Sequence, residues 1–195
     1  KGLRDKNFKK FNGKPLIEYT FAIAKKIEKK FNASMLFFST DSKKYLNYAK
    51  KNMHLKNDYL RPNSLAKDNS LIIDSIFHAV KWLRNKKLYF DTVIVLQPTS
   101  PIRIFDEVKD AIQKFKKNNY TSMASVTKMR EHPFECIKKE KKRKWNFLER
   151  PKKIATRRQQ YQNSKSDYFF IDGSFYITNL EYLKKNKNFV IERKT

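Results

Sequence analysis

Apolar positions along this chain come in two alternating textures. Some are short continuous runs bounded by polar loops; others recur at every third or fourth residue over a longer stretch. The first texture marks strands buried on both faces, the second amphipathic helices. Leu16, Ile17, Tyr19, Thr20, Ile23, Ala24 and Ile27 carry the helical spacing from about Pro15 to Phe31, with the turn pair Asn12-Gly13 just ahead. Met35-Leu36-Phe37-Phe38 is a continuous run and predicts a strand. Ser39-Thr40-Asp41-Ser42 then offers caps for a helix whose Tyr45, Leu46, Tyr48 and Ala49 face inward. Asp58 to Leu60 reads as a short strand stopped by Arg61-Pro62. Ile72, Ile73, Ile76, Phe77, Val80 and Leu83 predict a helix, with Asp68 or Ser70 as its cap. Val93-Ile94-Val95-Leu96 is a strand that ends at Gln97, because Pro98 cannot donate to a ladder. A helix from about Phe105 to Lys117 and a strand from Ser122 to Val126 follow. Strand and helix alternate, which predicts an α/β fold: a mostly parallel sheet in three layers, joined by right-handed crossovers.

From Glu131 the texture changes. Lys138 to Lys144 is basic, and Glu149 to Asn163 is polar apart from Ile154, Ala155 and Tyr161. This stretch fits neither a core helix nor a strand and reads as a loop, or as an arm packed by a partner subunit. Tyr168-Phe169-Phe170-Ile171 and Ser174-Phe175-Tyr176-Ile177 flank Asp172-Gly173, a hairpin or bulge signal. A short helix at Leu180 to Leu183 and a strand at Phe189 to Ile191 close the pattern. A chain that opens at Lys1 on a loop-like basic segment, with no Met, is expected to be part of a larger protein.

Composition narrows the chemistry. The chain has 195 residues, enough for one domain with a real core, and only 3 glycines, which excludes a glycine-rich phosphate loop within it. The formal charge of +26 raises a nucleic-acid-binding module as one reading. The lysines are scattered over helix faces, as at Lys25, Lys26, Lys29 and Lys30, and they outnumber the arginines that base readout favours. No nucleic-acid or membrane partner is therefore expected, and the excess charge is read as solvated surface that draws anions to a cleft. The lone Cys136 leaves no internal disulfide, and a reducing, cytoplasmic location is expected. His54, His78 and His132 are far apart in sequence, so no nucleophilic triad suggests itself; His78, beside an apolar stripe, is read as structural.

The remaining candidates are polar residues at strand ends. Lys1, Arg4, Lys6 and Asn7 share one loop; Arg61, Asp68, Gln97, Thr99, Ser100 and Arg103 follow strands or precede helices. In an open α/β sheet such loops converge on one rim, where ligands bind. Cations and amides with no nucleophile suit a polyanionic substrate such as a nucleotide, handled by positioning and charge neutralisation.

Six blocks then occur in order: Lys1-Gly2-x-x-x-Lys6-Asn7, Asn12-Gly13-Lys14-Pro15-Leu16, Ser39-Thr40-Asp41, Leu60-Arg61-Pro62-x-x-Leu65-Ala66-x-Asp68, Leu96-Gln97-Pro98-Thr99-Ser100-Pro101-x-Arg103 and His132-Pro133. Together they resemble the acylneuraminate cytidylyltransferases, which make CMP-activated sialic, pseudaminic and legionaminic acids; Arg158-Gln159-Gln160 and Asp172-Gly173-Ser174-Phe175-Tyr176-Ile177 extend the likeness across nearly the whole chain. The resemblance implies a Rossmann-like, glycosyltransferase-A-like nucleotidyltransferase spanning 1–195, truncated at both ends, with residues 131–170 as a protruding dimerisation arm. It implies transfer of CMP from CTP to a nine-carbon 2-keto sugar acid, release of pyrophosphate, a need for Mg²⁺, and a homodimer. By the same likeness, Lys1 and Lys6 stand near the triphosphate as catalytic cations, and Asn7 and Arg61 at the nucleotide. Gln97 and Arg158 stand at the sugar.

The chain also departs from the family pattern. The family's first strand and phosphate-loop arginine would precede Lys1, and its metal-binding D-x-D would follow Thr195. Leu71 and Ile72 replace the usual serines, and Phe170 stands where many relatives carry arginine. A CMP-Kdo synthetase is the rival within the same fold.

Overall fold

The computed structural model describes residues 5–139, 145–149 and 168–191. The chain divides into two compact units, Lys1–Ala124 with Gly173–Thr195, and Ser125–Asp172.

In the first unit a 3₁₀ turn at Lys6–Phe8 leads to strands β1 (Lys10–Phe11) and β2 (Lys14–Pro15). These form an antiparallel hairpin closed by Asn12 and Gly13, which have φ of 45° and 79° as a two-residue turn with both central residues left-handed requires. Helix α1 (Leu16–Lys30) follows, with Pro15 at its N-cap. Helix α2 (Lys43–Met53) is capped as expected by Ser42, whose hydroxyl accepts the Tyr45 N–H. Helix α3 (Ile72–Asn85) starts after Leu71 with no side-chain cap, so neither Asp68 nor Ser70 serves that role. Strand β3 (Thr92–Leu96), helix α4 (Phe105–Lys117) and strand β4 (Ser122–Lys128) complete the first pass. After the second unit the chain returns through strand β7 (Phe169–Asn179) into helix α5 (Leu180–Asn186). Asn179 caps α5 by accepting the N–H groups of Glu181 and Tyr182.

Helix α1 is the spine of this unit. One of its faces carries Ile17 and Phe21 against Leu46, Ala49 and Met53 of α2; another carries Ile23 and Ile27 against Val108, Ile112 and Phe115 of α4 and Ile177 of β7. Each of these side chains other than Ala49, buried, contributes roughly 1.5–3 kcal/mol.

The sheet differs from expectation. Its order is β3-β7-β4, and β3 pairs with β7 antiparallel, from Thr92 opposite Asn179 to Leu96 opposite Phe175. The Thr121 carbonyl accepts the Asn179 N–H, and the Tyr168 carbonyl accepts the Met129 N–H. Those two bonds at opposite ends make β4 and β7 antiparallel as well. A mostly parallel sheet is thus not what the described strands form. Antiparallel neighbours of this kind need no helical crossover between them. Asp172-Gly173 is not a hairpin turn but a point inside β7, where Gly173 takes φ 69°.

Three expected strands are not formed. Met35–Phe38, Asp58–Leu60 and Phe189–Ile191 carry no sheet pairing. The Leu36 N–H and carbonyl are bonded by side chains, Glu28 Oε1 at 2.9 Å and Asn57 Nδ2 at 3.0 Å, instead of by a neighbouring strand.

In the second unit strands β5 (Ile137–Lys139) and β6 (Trp145–Phe147) form an antiparallel pair. Asp172 accepts hydrogen bonds from Ser125 Oγ and Thr127 Oγ1, tying the end of β4 to the start of β7. Val126, Ile137, Leu148, Phe169, Phe170 and Ile171 of this unit are exposed. Among the described residues no helix is long and apolar enough to cross a membrane.

Candidate active site

Gln97 stands at the carboxyl end of β3, and its neighbours explain why it is held there. Its carbonyl accepts the Ser100 N–H at 3.1 Å, closing the turn that Pro98 and Pro101 stiffen. The same carbonyl accepts a hydrogen bond from Arg103 Nη2. The Arg103 Nε donates to the Ser174 carbonyl at 2.8 Å and Nη1 donates to Thr20 Oγ1 at 3.2 Å. Arg103, one of the rim cations expected from the sequence, therefore clamps β3, β7 and α1 together. Its guanidinium positions the Gln97 turn. A Cβ on Gly173 would lie 3.6 Å from Gln97 Oε1, so β7 passes directly beside the amide.

Arg61 lines the same cavity as Gln97. Its N–H donates to the Thr40 carbonyl at 2.8 Å, and Nη2 pairs with Asp41 Oδ1 at 3.1 Å. Its Nε is buried with no hydrogen-bond partner. Unsatisfied buried donors and acceptors are rare and costly, and a polar ligand is one way to satisfy them. Ser39, Arg61, Gln97 and Pro98 share the lining of one cavity of about 890 Å³. Behind them Tyr59, only 1% exposed, bonds His78 Nδ1 at 2.9 Å. Burial pushes the Tyr59 hydroxyl above its usual pKa, while the Arg61 charge and the Ser39 hydroxyl beside it pull the other way. Tyr59 stays neutral near pH 7, and the structural role expected for His78 holds.

Lys6 and Asn7 occupy the 3₁₀ turn, Lys6 exposed and Asn7 with its Oδ1 buried and unpartnered. The turn is fixed against the start of α2. The Phe8 and Tyr45 rings stack at 3.8 Å, and the Tyr45 hydroxyl donates to Asp5. Asp41, the partner of Arg61, lies just before that helix, so one short segment supports both groups. Lys1 and Arg158 lie outside the described residues, as does much of the expected 131–170 arm. Among the described residues no cluster of His, Cys, Asp or Glu is built to hold a metal, and Asp41 is engaged with Arg61. The described donor set does not fit Mg²⁺.

Comparison with known proteins decides the family. The family model described as cytidylyltransferase matches residues 1–192. The chain belongs to that family. It is a nucleotidyltransferase, as the sequence blocks had implied. The chain is 28% identical over 192 residues to CMP-N,N'-diacetyllegionaminic acid synthase of Legionella pneumophila, covering 98% of this chain and 78% of that protein. It is 30% identical over 129 residues to N-acylneuraminate cytidylyltransferase of Escherichia coli, covering 66% of this chain and 29% of the larger protein. Among solved structures it is similar to CMP:2-keto-3-deoxy-manno-octonic acid synthetase complexed with CTP. That likeness has a TM-score of 0.62 at 14% identity and covers 98% of this chain and 74% of the other. It establishes a shared nucleotidyltransferase fold.

Sequence reasoning singled out Arg61 and Gln97, and the cavity unites them. It gave Ser39 no site role beyond its place in a family block, and it missed the Asp41–Arg61 pair. Both residues lie in blocks read from the sequence, Ser39-Thr40-Asp41 and Leu60-Arg61-Pro62, but nothing in either block says that they meet.

Proposed function

We propose that this nucleotidyltransferase moves CMP from CTP to the anomeric hydroxyl of a nine-carbon 2-keto sugar acid of the sialic, pseudaminic or legionaminic type, releasing pyrophosphate. The observation that carries the reading is the shared cavity lining of Ser39, Arg61 and Gln97 in a chain of the cytidylyltransferase family. The 28% identity to a legionaminic acid synthase over nearly the whole chain favours a nine-carbon acid over the eight-carbon substrate of the fold relative, which matches at 14%.

In this reading Arg61 holds the nucleotide, aimed by Asp41, and Asn7 presents its unpartnered amide oxygen to it. Lys6, with Lys1, offsets triphosphate charge so that the α-phosphorus can accept the sugar oxygen. Gln97 both donates and accepts and orients sugar hydroxyls; Arg158 meets the sugar carboxylate, which a guanidinium binds bidentately. Mg²⁺ belongs to the reading as the counter-ion of CTP, with ligands that are not among the described residues. The enzyme works in the cytoplasm, where CTP is at hand. It works as a homodimer, for which the exposed Ile137, Leu148, Phe169, Phe170 and Ile171 of the second unit supply apolar contact.

The test is pyrophosphate release by the full-length protein, with CTP against the other nucleoside triphosphates and a panel of 2-keto sugar acids. Turnover with CTP and a nine-carbon acid is expected. Turnover with the eight-carbon acid alone shifts the reading to the fold relative's substrate, and no turnover with any acid removes it.

A further inference from the structure

Along the chain the lysines look scattered, but the fold gathers one set of them at a single edge. Helices α1 and α4 end in Lys29-Lys30 and Lys116-Lys117, and α3 is followed by Lys86-Lys87, all of them exposed. Contacts bring these ends together. The Asp91 carbonyl, just before β3, accepts the Leu180 N–H at 2.7 Å, and the Thr121 carbonyl, just before β4, accepts the Asn179 N–H at 2.9 Å. The loops that follow α3 and α4 therefore meet at the end of β7. Lys116 Nζ lies 5.4 Å from the Phe31 ring, which joins the end of α1 to the end of α4. This is the edge where β3 and β4 begin. Gln97 stands past the other end of β3, about 20 Å from Asp91 at roughly 3.3 Å per residue.

The helix macrodipole accounts for a lysine in a last turn. It does not account for the apolar side chains set among these lysines. Leu88 is 39% exposed, Tyr120 49% and Tyr89 73%, and the two tyrosines sit on separate loops. The acidic groups nearby do not balance the charge: Asp58 is paired with Lys86 at 3.6 Å, and Asp91 lies exposed before β3. Lysine is a compact, hydrated point charge that attracts anions without fixing their geometry, whereas planar phosphate and base recognition favours the arginine fork. A tyrosine ring with a wet hydroxyl suits the boundary between headgroups and hydrocarbon. Lysines interleaved with exposed Tyr and Leu thus match a surface that is anionic outside and apolar just beneath.

We propose that this edge docks the protein on an anionic phospholipid membrane, with the lysine ammonium groups at the headgroups and Leu88, Tyr89 and Tyr120 at the interface. The Gln97 end of β3 is then the end away from the bilayer, so docking leaves the candidate site open to water. The proposal rests on this edge and not on the proposed reaction.

The test is co-sedimentation of the full-length protein with vesicles of phosphatidylserine and phosphatidylcholine, and with vesicles of phosphatidylcholine alone. Binding to the first and not to the second is expected, weakening as salt rises. Replacing Lys29, Lys30, Lys87 and Lys117 together by Gln is expected to lower the partition coefficient at least about 100-fold, since each lysine at such a surface is worth about fivefold. The same charge change at the far end of α1, with Lys9, Lys10, Lys14 and Lys43 replaced by Gln, is expected to cost less than about fivefold because of screening. Tyr89→Ser with Tyr120→Ser should weaken binding about tenfold and leave its salt dependence unchanged. No binding to the anionic vesicles, or equal losses from the two lysine sets, overturns the proposal. So does binding to a DNA or RNA oligonucleotide in place of the vesicles. Vesicle binding by a protein that turns over no sugar acid would reject the proposed function and leave the docking edge in place.

Discussion

Met35–Phe38 and Val93–Leu96 are the same pattern met twice: four apolar residues, then a polar group at a loop. Their fates differ. Val93–Leu96 is a strand with a register against β7. Met35–Phe38 is packed through Phe38 on Phe21 and through Phe37 on Tyr59 and Trp82, yet it has no strand beside it among the described residues. Side-chain burial follows from residue type. Ladder formation depends on what lies next to the segment, and no run of four residues encodes its neighbour. The pair also divides the candidate site, since one stretch ends at Ser39 beside Arg61 and the other at Gln97.

The largest effect tests whether the unpaired stretch is as firmly built as the paired one. Phe37→Ala removes a ring in contact with Tyr59 and Trp82 and is expected to cost about 3–5 kcal/mol in urea unfolding, at least as much as Ile94→Ala in β3. A cost below 1 kcal/mol would show that only the paired stretch is core. The next separates the two ends by chemistry. Arg61→Ala is expected to lower kcat/KM about 10²–10³-fold through CTP, with Arg61→Lys recovering part of it. Because the Asp41 pair is partly exposed, the stability change should stay below about 1 kcal/mol. Gln97→Ala is expected to cost about tenfold, expressed in the sugar-acid KM with the CTP KM unchanged. Equal damage to both substrates would abolish the division.

The smallest effect is a pH slope. Tyr59 ionises less readily in the fold than in the unfolded chain, where the ordinary value is 10.0. The stability gained by keeping it neutral is fully present below that pH and is lost as pH rises through the higher folded value. Tyr59→Phe should cost about 1 kcal/mol at pH 7 through the lost His78 bond and should flatten the alkaline fall above pH 10.

Periodicity read the helices well because burial on one face writes itself into the spacing; α1, α2, α3 and α4 lie where Ile17, Leu46, Ile73 and Val108 placed them. Strand pairing was less legible. Direction in β7 is set by the return from Ser125–Asp172, a long-range event with no local signature, and Gly173 was equally compatible with a turn or a kink. At the site, Arg61 and Gln97 were visible because loops at strand ends carry polar residues without a packing reason. Arg103 looked the same in sequence and turned out to be structural, because two of its partners, Thr20 and Ser174, are distant in the chain and meet it and the nearby Gln97 only after folding.

Helix α1 has one more consequence. The cluster around Phe21 and the cluster around Ile27 share no buried side chain, but both are faces of the same rigid rod. Melting of the helix itself releases both clusters at once. The first unit should therefore lose structure in a single cooperative transition. Amides reporting on α2 and on α4 should share one opening free energy, although the two helices are held by separate sets of contacts.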